Sequence, residues 1–293
     1  MAYSLKHSDG SVGAGLRRIA ADQLDRGIAA LSSPDDLHDA VHDARKRVKK
    51  LRGLLRLVRP SIGIYSAENA YLRDAARLVS GLRDSAAQME ALERLARDCD
   101  LDRHDIAPLR KRLKAQRDHA ERASDLPDRL AAFRAALETS RAHLKRWEPD
   151  ADGFNAVAGG LGKTYRRARK GMKAARGGAT PEAMHEWRKR VKYHWYHARL
   201  LERIWPQKMA PHVAAADELA EMLGDHHDLA VLRGALEDAG LSKAVARRLD
   251  AAATARMDAL ADEAFGLGAR LLADKPDALI RRWRLWWDHW AAD

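Results

Sequence analysis

His42-Asp43-Ala44-Arg45-Lys46-Arg47-Val48-Lys49 and His185-Glu186-Trp187-Arg188-Lys189-Arg190-Val191-Lys192 are nearly the same phrase, written once in each half of the chain. A histidine, four cations and a valine keep one register in both. At about 100° per residue, His42, Arg45, Lys49, Arg52 and Arg56 share one arc of a helix, with Val41, Ala44, Val48, Leu51, Leu55 and Val58 opposite. The second copy puts His185, Arg188, Lys192 and Arg199 on its polar arc and Trp187, Val191, Ala198 and Leu201 on its apolar side. Trp195 stands where Arg52 would fall, so the second cationic row is interrupted.

The likeness extends to both sides of the basic helices. Ser33-Pro34 precedes the first and Thr180-Pro181 the second, each a capping hydroxyl followed by proline at the first helical position. On that reading the first helix starts about one turn earlier than the second. Downstream, Leu78-Val79-Ser80-Gly81-Leu82-Arg83-Asp84 resembles Leu219-Ala220-Glu221-Met222-Leu223-Gly224-Asp225; upstream, Val12-Gly13-Ala14-Gly15-Leu16 resembles Val157-Ala158-Gly159-Gly160-Leu161. Such order is the mark of an internal repeat.

Ala, Leu and Arg dominate, β-branched and aromatic residues are scarce, and apolar positions recur with a period near 3.6. The fold class read from this is all-α. Breakers predict helices over 12–31, 34–58, 66–97, 105–123 and 127–147. A second series covers 154–175, 181–204, 208–238, 241–272 and 277–290. The stretch Glu148-Pro149-Asp150-Ala151-Asp152-Gly153 separates the two series. Duplication of an antiparallel helical bundle accounts for the pattern, and paired halves commonly associate about a pseudo-two-fold axis.

Across 293 residues, 53 Lys and Arg face 42 acids, a net charge of +11. That excess favours anionic partners. The one cysteine, Cys99, cannot form an internal disulfide, and its acidic neighbours Asp98 and Asp100 oppose a thiolate. Met1 to Gly15 lacks the apolar core of a signal peptide, and no apolar run is long enough to span a membrane. The expected location is cytoplasmic.

A solvated helix face normally mixes signs, whereas the arc from His42 to Arg56 carries no acid. Like charges at i,i+4 cost roughly 0.2–0.5 kcal/mol per pair, so a duplicated row of them points to an anionic ligand that relieves it. The preceding helices add Arg17 and Arg18 in one half and Lys163, Arg166, Arg167, Arg169 and Lys170 in the other. Were these four helices to face one another, the rows would line a shared basic groove.

Other motifs resolve more simply. Val157-Ala158-Gly159-Gly160-Leu161-Gly162-Lys163-Thr164 nearly spells a phosphate-binding loop, but its first glycine is a valine and no strand precedes it. Close packing at glycines near a helix N-terminus explains it better. His38 with His42, and His226-His227-Asp228, look like metal ligands but fall short of a complete donor set. Capping by Asp225 or Asp228 at a helix start accounts for the second. No metal, cofactor or catalytic nucleophile is expected, and Glu90 with Glu93 reads as an exposed face. Trp283, Trp286, Trp287 and Trp290 share one face of the last helix; core packing is the first expectation, with a homodimer contact or a membrane-facing helix as alternatives.

The pattern His-x-x-Arg-Lys-Arg-Val-Lys, occurring twice in a duplicated helical chain, resembles the CHAD family (conserved histidine α-helical domain). The resemblance covers essentially the whole chain, about residues 5–290. It implies one domain of two repeats, 5–147 and 154–290, each an antiparallel four-helix-type bundle, related by pseudo-two-fold symmetry around a basic channel. Members of that family bind inorganic polyphosphate and are associated with polyphosphate granules. Carried onto this sequence, the first-half contacts would be His42, Arg45, Lys46, Lys49, Arg52 and Arg56, and the second-half contacts His185, Arg188, Lys189, Lys192 and Arg199. The His226-His227-Asp228 stretch is similar to the family's second Asp-containing segment; Arg83-Asp84-Ser85-Ala86-Ala87 lacks its second aspartate. The fit is physical as well: polyphosphate offers acceptor oxygens that arginine can bind bidentately, and no bases to read. Its rivals are RNA or another nucleic acid held by the same charge, or a scaffold role at a granule or on an acidic partner. Single-strand binding favours interleaved aromatic platforms, which the first row lacks.

Overall fold

The computed structural model describes residues 3–32, 36–98, 101–178, 180–236 and 239–292, with 83–86 described by backbone alone. It is 85% helical, and the described residues contain no strand. The first half holds α1 (Val12–Ser32), α2 (Leu37–Val58), α3 (Tyr65–Arg77), α4 (Gly81–Asp98), α5 (Arg103–Glu121) and α6 (Leu126–Ala142). The second holds α7 (Gly153–Arg176), α8 (Pro181–Leu200), α9 (Pro206–Leu236), α10 (Lys243–Leu271) and α11 (Pro276–Ala292).

The apolar arc of α2 is the core face that periodicity predicts: Val41, Ala44, Val48, Leu51, Leu55 and Val58 are all buried. The cap differs. Ser33 and Pro34 lie outside the described residues, and α2 is capped by Asp36, whose carboxylate accepts from Asp39 N–H at 3.0 Å. Thr180 caps α8 as expected, accepting from Ala183 N–H at 3.2 Å. The two basic helices therefore begin in nearly the same register, without the extra turn expected for the first. A second departure is the predicted helix 66–97, which is two helices. Leu78, Val79 and Ser80 lie between them, and Val79 and Leu82 remain buried, so the bend redirects the chain without losing its core contacts.

Pairings in the first half recur in the second: α1 packs on α2 as α7 does on α8, α1 on α6 as α7 on α11, and α4 on α5 as α9 on α10. The hydrophobic core does not follow the halves. One cluster joins α1, α2, α3, α6, α7, α8, α11, the first part of α9 and the end of α10 around Phe133, Trp147, Trp187 and Trp283. The other joins α4 and α5 to the end of α9 and most of α10, through Leu92, Leu109, Leu232 and Leu249. Each draws on both halves of the sequence.

Two close approaches fix α2 at the centre. A Cβ at Gly160 of α7 would lie 1.9 Å from the Leu57 carbonyl oxygen, and one at Gly159 2.9 Å from Pro60 Cγ. A Cβ at Gly53 of α2 would meet Tyr196 of α8 at 3.0 Å. The loop-like Val157–Thr164 motif is thus inside α7, and its glycines serve helix packing. The equivalent place on α1 is filled differently: Gly15 lies under Leu5 and Asp9, and Leu5 N–H bonds the Leu200 carbonyl at 2.9 Å. The segment before α1 thus occupies, against α8, the position that α7 takes against α2.

The central break is also built in. Asp150 N–H bonds the Ser61 carbonyl at 2.6 Å, Asp152 accepts from Val12 N–H at 2.7 Å, and Gly153 turns the chain at φ +58. In α11, Trp283 and Trp287 are core residues, while Trp286 and Trp290 are partly buried against it. That favours the packing reading of the tryptophan stripe, and a homodimer contact through it is not supported. No described helix is long and apolar enough to cross a membrane.

Candidate functional site

The cationic arc of α2 runs beside α3. Arg45 donates to the Ala76 carbonyl at 3.0 Å and Arg52 to Asn69 Oδ1 at 3.2 Å. From Gly53 to Val58 every residue of α2 is buried, because α8 crosses it there and α7 meets it at Leu57, and Arg59 beyond them is again partly exposed. Arg56 is consequently buried. It donates to the Arg52 carbonyl at 2.8 Å and lies 4.0 Å over the Tyr193 ring of α8. Burial lowers its proton affinity, and the neighbouring tyrosines partly restore it.

The arc of α8 runs beside α9 in the corresponding way. The His185 ring packs on that of His227 at 4.0 Å, and Arg188 lies against Gly224, where an added Cβ would come within 3.3 Å of its Nε. Lys192 reaches Asp217 at 3.4 Å and lies 3.9 Å from the centre of the Trp195 ring. Arg199 approaches that ring at 5.3 Å. The tryptophan that interrupts the row is therefore flanked by the two cations on either side of it, a cation–π arrangement. Lys189 is paired with Glu186.

Not every predicted contact joins these rows. Arg17 is paired with Glu148, and Arg18 is clamped on Asp9 at 2.5 and 2.8 Å with a further bond to the Ser4 carbonyl. Lys163, Arg166, Arg167 and Lys170 lie on the exposed side of α7, Arg166 within 4.0 Å of Asp277. His42 and Lys49 are exposed and Lys46 shares their helix side. Of the metal-like pairs, His38 instead bonds the Leu82 carbonyl at 3.0 Å and pairs with Glu121. His226-His227-Asp228 lies well inside α9, so capping is not its role; Asp225 and Asp228 pair with Arg94 of α4. No group of metal-ligating residues forms among the described residues. Cys99 falls outside them.

Burial governs the electrostatics. It lowers the proton affinity of His185, with Lys189 and Arg188 adding to the effect, and brings His227 down to about 4 with help from His185 and Arg188. Both rings are neutral at physiological pH. The Nδ1 of His185 and the Nε of Arg188 are enclosed without a hydrogen-bond partner among the described residues. Unsatisfied buried polar atoms are costly, and an oxyanion would satisfy the arginine. Lys192 is likewise shifted down by burial, opposed by Asp217.

Sequence reading missed three cations that the structure adds. Arg59, three residues beyond Arg56, prolongs the first row past the helix end. Arg190 faces it from α8. Lys50 lies 5.5 Å over the Tyr3 ring, and burial together with Lys46 and Arg199 brings its pKa down to about 8. The signal for Arg59 was present, since it keeps the i+3 step of the row.

The family model described as CHAD domain matches residues 16–237. No curated protein matches the chain.

Proposed function

The chain belongs to the CHAD domain family, and on that premise we propose that it is a non-enzymatic binder of inorganic polyphosphate. The ligand lies along the cationic faces of α2 and α8. The observation that carries this reading is the pair of equivalent rows, each anchored on a neighbouring helix through backbone or polar contacts. Arg52 on Asn69 and Arg56 on a backbone carbonyl are anchored through uncharged groups, which fixes cations in place for a polyanion. His42, Arg45, Lys46, Lys49, Arg52 and Arg56 act from one row, and His185, Arg188, Lys189, Lys192 and Arg199 from the other. Lys163, Arg166, Arg167 and Lys170 supply a flank from α7, whereas Arg17 and Arg18 are engaged by Glu148 and Asp9.

The recurring helix pairings also support one domain, residues 5–290, built from the repeats 5–147 and 154–290 about a pseudo-two-fold axis. The N-terminal segment between α1 and α8 makes that symmetry approximate.

Competition tests the ligand. Labelled polyphosphate is bound at physiological salt and challenged with RNA at equal phosphate concentration, then the reverse. Polyphosphate should resist RNA; efficient displacement by RNA would favour the nucleic-acid reading. Arg45→Ala with Lys49→Ala, or Arg188→Ala with Lys192→Ala, should remove most of the binding, and unchanged binding in both would put the site elsewhere. Association with polyphosphate granules follows as a consequence of binding and is read by co-localisation in cells that make them.

A further inference from the structure

The first cationic row ends in a place unlike the rest of it. Arg59 caps α2, and Tyr65 at the start of α3 hydrogen-bonds its side chain. Arg167 of α7 and Arg190 of α8 stand close enough to act on its charge. The crossing of α2 and α8 agrees with this: Gly53 meets Tyr196 and Arg56 meets Tyr193, and one further turn along each helix sets Arg59 against Arg190. Guanidinium groups from three elements thus face one region, where elsewhere the cations follow one another along a helix.

Two further features define the spot. Arg59 Nε and Nη2 are enclosed and have no hydrogen-bond partner among the described residues. Buried donors of this kind call for an acceptor. Arg56 forms a wall, its guanidinium already held by the Arg52 carbonyl and the Tyr193 ring. Glu186 pairs with Arg190 at 3.1 Å, on the outer side of α8 shared with Lys189. On either side of Arg59 the chain is held against α7, the Leu57 carbonyl on Gly160 and Pro60 on Gly159.

A polyphosphate chain has two kinds of phosphate. An internal one offers two non-bridging oxygens and one charge; a terminal one offers three oxygens and a second charge that ionises near neutrality. Convergent guanidinium forks suit three oxygens on one phosphorus better than a row does. We propose that Arg59, Arg167 and Arg190 form a clamp for the terminal phosphate of the bound polyanion. The clamp rests on the polyphosphate reading above and adds recognition of chain ends to it.

The test uses the whole protein with tripolyphosphate and with long polyphosphate, each with free ends or with both ends blocked as phosphoramidates. Blocking should weaken tripolyphosphate at least about ten-fold, the loss of one charge-assisted contact. Long chains, held mainly by internal phosphates, should change far less. Arg59→Gln should bind free tripolyphosphate as weakly as the wild type binds the blocked form, and blocking should cost it nothing further. Arg167→Gln, at an exposed position, should act in the same direction and guards against a folding defect in the first variant. Equal wild-type affinity for free and blocked tripolyphosphate would overturn the clamp and leave the groove standing. Failure to bind polyphosphate of any length would overturn the groove reading, and the clamp with it.

Discussion

His194 of α8 and His212 of α9 meet Nε2 to Nε2 at 2.8 Å, so a single proton lies between a buried ring and a partly buried one. Tyr165 of α7 and Trp283 of α11 pack on the pair, and His197, Arg282 and Asp274 are the titratable and charged groups that act on it. Burial brings His212 down to about 4 and, aided by Arg56 and Arg59, His197 to about 3; His194 is lowered by burial and by both. Depressed histidines are neutral in the fold and charge more readily once unfolded. Stability is therefore complete above about pH 6.5 and declines as pH falls toward 4, by on the order of 3 kcal/mol for His212 alone. Urea unfolding at pH 7 and pH 4.5 reads this directly. His212→Gln should flatten the acid limb, and an unchanged slope would contradict the assignment.

Gly160 and Gly162 separate packing from propensity within one helix. Gly160→Ala drives a Cβ into the Leu57 carbonyl and should cost about 3 kcal/mol or more, since two backbones must part. Gly162→Ala meets only Ile280 at 3.5 Å and should be neutral or stabilising by up to about 1 kcal/mol. Paired melting curves decide it.

Arg18 and Arg188 should divide stability from binding. Burial opposes ionisation of Asp9, yet Arg18 and the Lys6 N–H hold its carboxyl below the usual range. Arg18→Ala should therefore lower the melting temperature while changing polyphosphate affinity less than about two-fold. Arg188→Ala should do the reverse, weakening binding about ten-fold. Titrations on both variants, with melting as the second readout, would expose an interchange of roles.

Ser140 donates to Glu68 at 2.7 Å between α6 and α3, and both residues are buried. Ser140→Ala strands that carboxylate, at a cost of about 1–3 kcal/mol. Adding Glu68→Gln should recover part of the loss in a double-mutant cycle.

Helix content and the core face of α2 are written in local periodicity, and so were legible in the sequence. The caps were half legible: Thr180-Pro181 works as read, whereas Asp36 took the place expected of Ser33. The break between α3 and α4 was missed because Leu78, Val79 and Leu82 keep an apolar rhythm through it, with only Ser80-Gly81 to mark it. His226-His227-Asp228 was misread for the opposite reason: its polar residues suggested a helix start, but Arg94 and His185 hold them within α9. The cationic rows were visible as chemistry. What was not visible is which cations are already engaged, because Glu148, Asp9 and Asp217 lie on other elements and reach them only through the fold.

The mixing of the two halves in each core has a consequence for synthesis. When the ribosome has finished α4 and α5, the partners of Leu92, Leu95, Leu109 and Leu113 on α9 and α10 do not yet exist. The first half must wait with those side chains exposed until some hundred further residues emerge, at a pace of about 5–20 per second. The nascent chain thus spends several seconds as a client for chaperones. A cut at the central break should give two fragments that fold only on each other.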